Sequence, residues 1–278
     1  MAKTAIIGYG SMGSMLLEQF LVSGVLRVDD VIVTTRSPSG AARAAEQFPG
    51  IETDTDNRRA AQARTVLLCV PPTAARAVLE ELSPVLSADA HLVSVVGSLP
   101  LRALGLFHRG PLSRAIPSLP SLLGSGVTLV CHNDVVRPVE RIAVERLFEK
   151  IGAVQVLAED AFAMASNLTS CMPGFLAALL QEMAAAALRH SDCLDANRAE
   201  ELLVETMLGT ARLAVDRGMD LNTIVARTAP RGGVTEAGLT ALRDGLPKVL
   251  DELFRRAMAR RAEAEAAVAR QFDTSPLH

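Results

Sequence analysis

A chain of 278 residues, 49% of them hydrophobic, has the material for one large or two ordinary packed domains, which excludes a disordered polymer. A formal net charge of −3 with no basic block implies neither nucleic acid nor an anionic membrane as a partner. With 3% aromatics and no Trp there are few platforms on which bases would stack.

Residues 4–157 alternate short apolar runs with helical stretches. The runs are "TAIIG" (4–8), "DVIVTT" (30–35), "TVLLCV" (65–70), "HLVSVV" (91–96), "LSRAI" (112–116) and "VTLVCH" (127–132). Several are apolar throughout, as strands covered by helices on both faces must be, and the alternation predicts a doubly wound, mostly parallel α/β domain over 1–159. Met1-Ala2-Lys3 leads straight into the first run, leaving no room for a signal peptide, and a cytoplasmic location is expected.

The first run opens into "GYGSMG", followed by the helical "SMLLEQFLVSG". Strand, G-x-G-x-x-G and helix in that order is the dinucleotide fingerprint. Gly8 would permit the tight turn, Gly10 would let the backbone approach a pyrophosphate, and Gly13 would let the helix pack close to the strand. Tyr9, Ser11 and Met12 complete the loop, whose amides at a helix start favour an anion. The second run ends "VTTRSPS", with no Asp or Glu to accept from a ribose 2′-hydroxyl. Thr35, Arg36 and Ser37 instead offer a guanidinium fork and hydroxyls suited to a 2′-phosphate, so the expected cofactor is NADPH, with NADH as the alternative. "CVPP" (69–72) and "RAIPSLPSLLGSG" (114–126) close later strands and are expected along the same ligand-binding edge.

From residue 160 onward no strand is expected. The segments 161–190, 195–217, 220–227 and 246–271 have helical composition and spacing. Asp160 marks the opening of the first, Asp195 is the expected N-cap of the second, Gly218 its stop, and Pro247 the start of the last. The tail after Gln271 reads as loose. Residues 161–180 carry no charge over a length that would cross a bilayer, but Ser166, Asn167, Thr169, Ser170 and Pro173 suit a core or subunit interface better than lipid. An unbroken helix over 161–190, about 45 Å long at ~1.5 Å per residue, is too apolar for so small a helical domain to cover alone, which implies a partner subunit.

Cys69, Cys131, Cys171 and Cys193 lack C-x-x-C spacing and read as small apolar groups in a reducing compartment. The five histidines form no ligand pair, and no metal is expected.

The succession of glycine loop, "VPP", "RAIPSLP", "SCMPGF" and "RGGVTEAGL" resembles the pyrroline-5-carboxylate reductase family over roughly residues 4–270. The resemblance implies a Rossmann domain over 1–159 and an all-α dimerisation and substrate domain over 160–278, dimers that often build larger rings, and reduction of a cyclic imine to proline with NAD(P)H. Val70 stands where the family has Lys, followed by Pro71. Ser118 stands where it has Asn near the nicotinamide, and Thr169 to Gly174 replace its Ser-Gly-Ser-x-Pro-Ala. The family's Ser-Pro-Gly-Gly-x-Thr substrate loop becomes Pro230-Arg231-Gly232-Gly233-Val234-Thr235. Scaffold glycines and Thr235 are kept, and the departures gather around the expected active site. The β-hydroxyacid dehydrogenases share the two-domain plan, but they place a catalytic Lys in a helix that here, over 161–190, has none.

Reducing a C=N bond needs hydride on carbon and a proton on nitrogen, and an imine nitrogen is basic enough to arrive protonated. The protein's task is then positioning and electrostatics. Free amides of Gly232, Gly233 and Val234 at a helix start would hold a substrate carboxylate, with a hydroxyl from Thr235. Arg231 would add an anion clamp for a second acid group, or face solvent. Tyr9 would pack beside the pyrophosphate, and His132, Asn133 and Asp134 fit a polar turn better than an acid–base pair. Two other readings stay open: the same chemistry on another imine or keto substrate, and a non-catalytic dinucleotide-binding protein with a regulatory or competence-related role.

Overall fold

The computed structural model describes residues 3–272. Met1, Ala2 and the tail 273–278, on which the expectations of a leaderless start and a loose end partly fall, lie outside the described residues. In chain order the elements are β1 (Thr4–Ile7), α1 (Ser11–Val22), β2 (Val31–Thr34), α2 (Pro38–Gln47), β3 (Glu52–Asp54), β4 (Thr65–Leu68), α3 (Pro72–Leu82), β5 (His91–Ser94), α4 (Leu101–Leu104), β6 (Leu112–Ile116), β7 (Gly126–His132), α5 (Pro138–Glu149) and β8 (Gly152–Val156). There follow α6 (Phe162–Thr169), α7 (Met172–Leu188), α8 (Ala196–Arg217), α9 (Leu221–Thr228) and α10 (Val234–Phe272).

The strands form one sheet in the order β3-β2-β1-β4-β5-β6-β7-β8, parallel except where β6 meets β7. From β1 the chain builds outward through β2 and β3, then returns to lay β4 against the other side of β1. That reversal opens a crevice at the carboxyl ends of β1 and β4, where sheets of this kind take ligands. Ile6, Val33, Leu67 and Val93 pack on one face against Leu16, Phe20 and Phe148, the two Phe rings meeting edge to face at 5.7 Å. Ala5, Ile7, Ile32, Val66, Leu68 and Leu92 pack on the other against Leu79 and Leu82 of α3. Both faces are buried, so alternation vanishes and the strands read as the unbroken apolar runs seen in the sequence. Each fully buried Leu, Ile or Phe contributes roughly 1.5–3 kcal/mol of transfer free energy.

Two strands escape the apolar pattern. β3 is three residues, Glu-Thr-Asp, on the sheet's edge and half exposed. β8, Gly-Ala-Val-Gln-Val, is the opposite edge, parallel to β7 from the pair Gly126 and Gly152.

The expected helix over 161–190 is broken. α6 ends at Thr169 and α7 starts at Met172, with Pro173 in its first turn, where the missing N–H costs nothing. Cys171 N–H turns back to the Ser166 carbonyl, and the Ser166 and Thr169 hydroxyls donate to main-chain oxygens behind them. Residues 159–188 are apolar and helical enough to match a membrane span by length and composition, but this break leaves pieces of 8 and 17 residues.

Asp195 caps α8 by accepting from Arg198 N–H at 2.8 Å, and Gly218 ends it in the left-handed conformation, where the sequence places both. The last helix does not begin at Pro247. α10 runs from Val234 through Phe272 with Pro247 inside it. A Pro there removes one N–H and costs about 3 kcal/mol in a helix interior. It stands on an exposed stretch, so the Arg243 carbonyl it leaves without an amide partner can turn to water.

The chain divides into two compact units, one containing the residues up to Cys171 together with those from Met258 on, the other Met172–Ala257. They part after Cys171 and before Met258. α6 belongs with the sheet, Phe162 lying 1% exposed against Ile116 and Leu129. The end of α10 belongs there too. Val268 is buried among the residues around Leu79 and Leu104, the Phe272 ring meets Phe107 edge to face at 5.7 Å, and Arg261 donates to the Ser166 hydroxyl. In the other unit little is buried. Leu176, Leu179 and Met183 of α7 and Leu202, Met207 and Leu208 of α8 are all exposed.

Candidate cofactor and substrate sites

The turn after β1 is compressed from two sides. Gly8 donates its N–H to the Thr34 carbonyl of β2 at 2.7 Å and holds φ at +101°. A Cβ on Gly8 would lie 2.6 Å from the carbonyl oxygen of Cys69, just past β4. A Cβ on Gly13 would overlap the carbonyl oxygen of Gly8, so the third glycine lets α1 seat on the turn. Gly10 is the N-cap of α1, and a Cβ there would meet nothing within 4 Å. Two glycines are thus demanded by the fold, while the middle one faces open space. The amides of Ser11, Met12 and Gly13 in the first turn of α1 have no acceptor within the helix, which favours an anion at this end.

That open space is a cavity of about 1270 Å³ at the carboxyl edge of the sheet. It brings together eight of the residues expected to hold a cofactor: Gly8, Tyr9, Gly10, Thr35, Arg36, Ser37, Val70 and Pro71. Ser11, Met12 and Gly13 sit just beyond it in the start of α1. Ser118 is not on this wall. It is 3% exposed and its hydroxyl accepts from Val127 N–H at 2.8 Å, pinning the connection from β6 to β7.

Ser37 caps α2, its Oγ accepting from Gly40 N–H at 3.1 Å. The Tyr9 side chain is buried against α2, its hydroxyl donating to Gln47 at 2.6 Å, and burial holds its pKa above the ordinary value. Its backbone, not its ring, is what the loop offers. The Cys69 thiol is pushed up to about 12 by burial and is inert as a nucleophile. The cavity also takes in Gly40, Arg43, Asn57 and Arg58, along with one side of α3, none singled out by the sequence. Asn57 accepts from the Thr34 hydroxyl at 3.0 Å and donates to Glu81 at 2.7 Å. No short motif announces these residues, because only the packing of α2, β3 and α3 brings them to one wall.

In the second compact unit, Arg231, Gly232, Gly233, Val234 and Thr235 form the link from α9 to α10. Gly232 holds φ at +74°. The amides of Gly232 and Gly233 are not free as expected. Gly232 N–H donates to the Glu236 carboxylate at 2.7 Å and Gly233 N–H to the Pro230 carbonyl at 2.9 Å. The tight turn closes the second bond and the first turn of α10 delivers Glu236 to the first, so this loop carries its own anion. Val234, 93% exposed, and Thr235 stand in the first turn of α10, where an α-helix supplies no acceptor. The Thr235 hydroxyl and the Arg231 guanidinium have no partner among the described residues, and both residues are exposed.

His132 ends β7 and belongs to neither site. Its Nδ1 meets the Ser113 hydroxyl at 2.6 Å and its Nε2 meets Glu145 at 3.2 Å, while Ser113 also meets His91 Nε2 at 2.6 Å. His91 is the first residue of β5, so this buried chain lies at the sheet edge opposite the cavity.

A family model described as pyrroline-5-carboxylate reductase dimerisation matches residues 159–264, and one described as NADP oxidoreductase coenzyme F420-dependent matches residues 3–97. The chain is 29% identical over 259 residues to pyrroline-5-carboxylate reductase 3 of Bacillus subtilis (strain 168), covering 93% of this chain and 95% of that protein. The dimerisation match and this relative support a place in the pyrroline-5-carboxylate reductase family. A solved pyrroline-5-carboxylate reductase from Coxiella burnetii shares the fold at a TM-score of 0.84 and 24% identity, over 96% of this chain and 98% of that one. ComE operon protein 4 of Bacillus subtilis (strain 168) is 24% identical, with 97% and 99% covered. Against the family pattern, Val70 lines the cavity, Ser118 is spent on the β6–β7 connection, and Arg231 stands exposed beside the glycines.

Proposed function

We propose that this protein is an NADPH-dependent reductase of a small cyclic imine bearing a carboxylate, with 1-pyrroline-5-carboxylate to L-proline as its reaction, working in the cytoplasm as a homodimer. What carries the reading is the glycine turn. Gly8 and Gly13 are sterically required, Gly10 is open, and the cavity it opens on has Arg36 on its wall. Gly8, Tyr9 and Gly10 would hold the pyrophosphate with the start of α1, and Thr35, Arg36 and Ser37 the 2′-phosphate. NADPH, when bound, supplies the hydride that adds to the imine carbon.

The remaining task is to hold and orient the substrate. The amides of Val234 and Thr235 would take its carboxylate together with the Thr235 hydroxyl, Glu236 giving up its place on Gly232. A protonated imine needs no strong acid from the protein. We assign cofactor binding to residues 1–159, and substrate binding and dimerisation to 160–278. The exposed apolar side chains of α7 and α8 support burial by a second subunit, with rings of dimers as a further step.

The glycine amides already engaged favour a second reading, a dinucleotide-binding protein without turnover. Calorimetric titration with NADPH beside turnover on a panel of cyclic imines decides. NADPH binding with reduction of pyrroline-5-carboxylate is expected. Binding without turnover favours the second reading, and turnover that excludes pyrroline-5-carboxylate assigns a different imine. Failure to bind NADPH sinks both.

A further inference from the structure

Three guanidinium groups line the cavity: Arg36, Arg43 and Arg58. Arg58 is neutralised by a forked contact with Asp56, Nε to Oδ1 at 2.9 Å and Nη2 to Oδ2 at 2.8 Å. Of the acids on the same wall, Glu80 is paired with Arg76, and Glu81 accepts from the Asn57 amide. Arg36 and Arg43 have no carboxylate within ion-pair distance among the described residues. Both therefore face one space without a paired carboxylate of their own.

Arg43 is also held in place before any ligand arrives. α2 begins at Pro38, directly after the loop bearing Arg36, and its second turn carries Arg43 over the glycine turn. There Nη2 donates to the Tyr9 carbonyl at 3.0 Å, and the guanidinium carbon lies 5.7 Å from the centre of the Tyr9 ring. Tyr9 is fixed in turn by its bond to Gln47, one helical turn beyond Arg43 on the same helix. The first turn of α2 can press this close because residue 40 is Gly. A Cβ there would lie 2.8 Å from the Thr35 hydroxyl oxygen. The Tyr9 contact uses one of the five guanidinium N–H donors and leaves the others available.

We propose that Arg43 is a second 2′-phosphate-binding residue, closing with Arg36 a two-guanidinium clamp that selects NADPH over NADH. This rests on the NADPH reading above. A phosphate monoester carries between one and two negative charges near neutrality, so one Arg leaves it under-neutralised and two match it. Ser37 stands beside them as a hydroxyl donor, and the pyrophosphate is served separately by the start of α1. The sequence shows only Arg36, because Arg43 lies seven residues on and reaches the site through the fold of α2.

The test is calorimetry on the full chain with NADPH and NADH, comparing wild type, Arg43→Met and Arg43→Lys, with 2′,5′-ADP as a competitor. Arg43→Met is expected to raise the Kd for NADPH and for 2′,5′-ADP about 10- to 100-fold, the loss of one charge-assisted bond, while NADH moves less than about threefold. Arg43→Lys should fall between, keeping charge without the fork. A parallel loss of NADPH and NADH would mean that Arg43 serves the pyrophosphate or merely orders the Tyr9 turn, and would overturn the proposal. So would unchanged values for both. If the unmutated protein itself shows no preference for NADPH, the underlying cofactor reading fails, a result separable from the failure of Arg43 alone.

Discussion

Substituting Ala at Gly8 and at Gly10 separates what the glycine turn does for the fold from what it does for the ligand. At Gly8 a methyl group would lie 2.6 Å from the Cys69 carbonyl oxygen and 3.1 Å from Val70 Cγ1, and φ is +101°. The left-handed backbone costs a non-glycine residue about 1–3 kcal/mol. The obstacle is backbone at the end of a central strand, so relieving the overlap shifts β1 against β4 and adds about 1–3 kcal/mol. Gly8→Ala should therefore lose about 2–6 kcal/mol of stability in urea denaturation of the unliganded protein. At Gly10 a methyl group meets nothing within 4 Å and the backbone, with φ at −89°, accepts any residue. Gly10→Ala should unfold within about 0.5 kcal/mol of wild type. Its methyl group would project into the space where the pyrophosphate approaches, raising the NADPH Kd by about 10- to 100-fold. If Gly10→Ala binds NADPH as wild type does, the turn does not cradle the dinucleotide, and the cofactor site has been misplaced.

Thr235→Ala removes the one unpartnered hydroxyl of the substrate loop and should lower kcat/KM by about 5- to 150-fold, with NADPH affinity unchanged. Steady-state kinetics showing wild-type turnover would remove Thr235 from the site. His91 is neutral in the fold, pushed down to about 4 from an ordinary value near 6.5, chiefly by burial and then by His132, with Glu140 opposing and His108 adding. Unfolding lets His91 take up a proton, so stability should be full above pH 6.5 and decline as pH falls toward 4, by roughly 3 kcal/mol for this residue. Chemical denaturation from pH 7.5 to 4 should show that slope reduced in His91→Gln, and an unchanged slope would refute the assignment. Leu179→Glu, on the exposed apolar side of α7, should convert the dimer to monomer at micromolar concentration by light scattering, without altering helix content.

The parallel strands were readable because burial on both faces makes a continuous apolar run, and the glycine turn because each glycine stands where β1 must give way to α1. Asp195 and Gly218 were readable from local chemistry, a cap and a left-handed stop. β3 was not, since Glu52, Thr53 and Asp54 pair along an edge and carry no apolar signal. The break at Ser170 and Cys171 and the run of α10 through Pro247 both turn on proline context. Pro173 falls in a first turn and Pro247 in an exposed interior, and local composition does not separate the two. At the site, Gly8, Gly10 and Arg36 announced themselves, whereas Arg43 and Asn57 reach the cavity only through tertiary packing. Glu236 was hidden for another reason. Its carboxylate reaches back one helical turn to Gly232, a bond that competes with the very ligand the loop was expected to hold.

Val268 and Phe272 close the face of the sheet that also holds Leu79, Leu104 and Phe107. During synthesis every strand, and α3 with them, is therefore out of the ribosome long before these two residues are made. Until then the apolar surface around Leu104 and Phe107 lacks part of its cover, a natural substrate for chaperones that bind exposed hydrophobic chain. A stop codon before residue 258 should give an aggregation-prone product even though all eight strands are present. An isolated cofactor domain would need residues 258–272 grafted back onto it in order to be soluble.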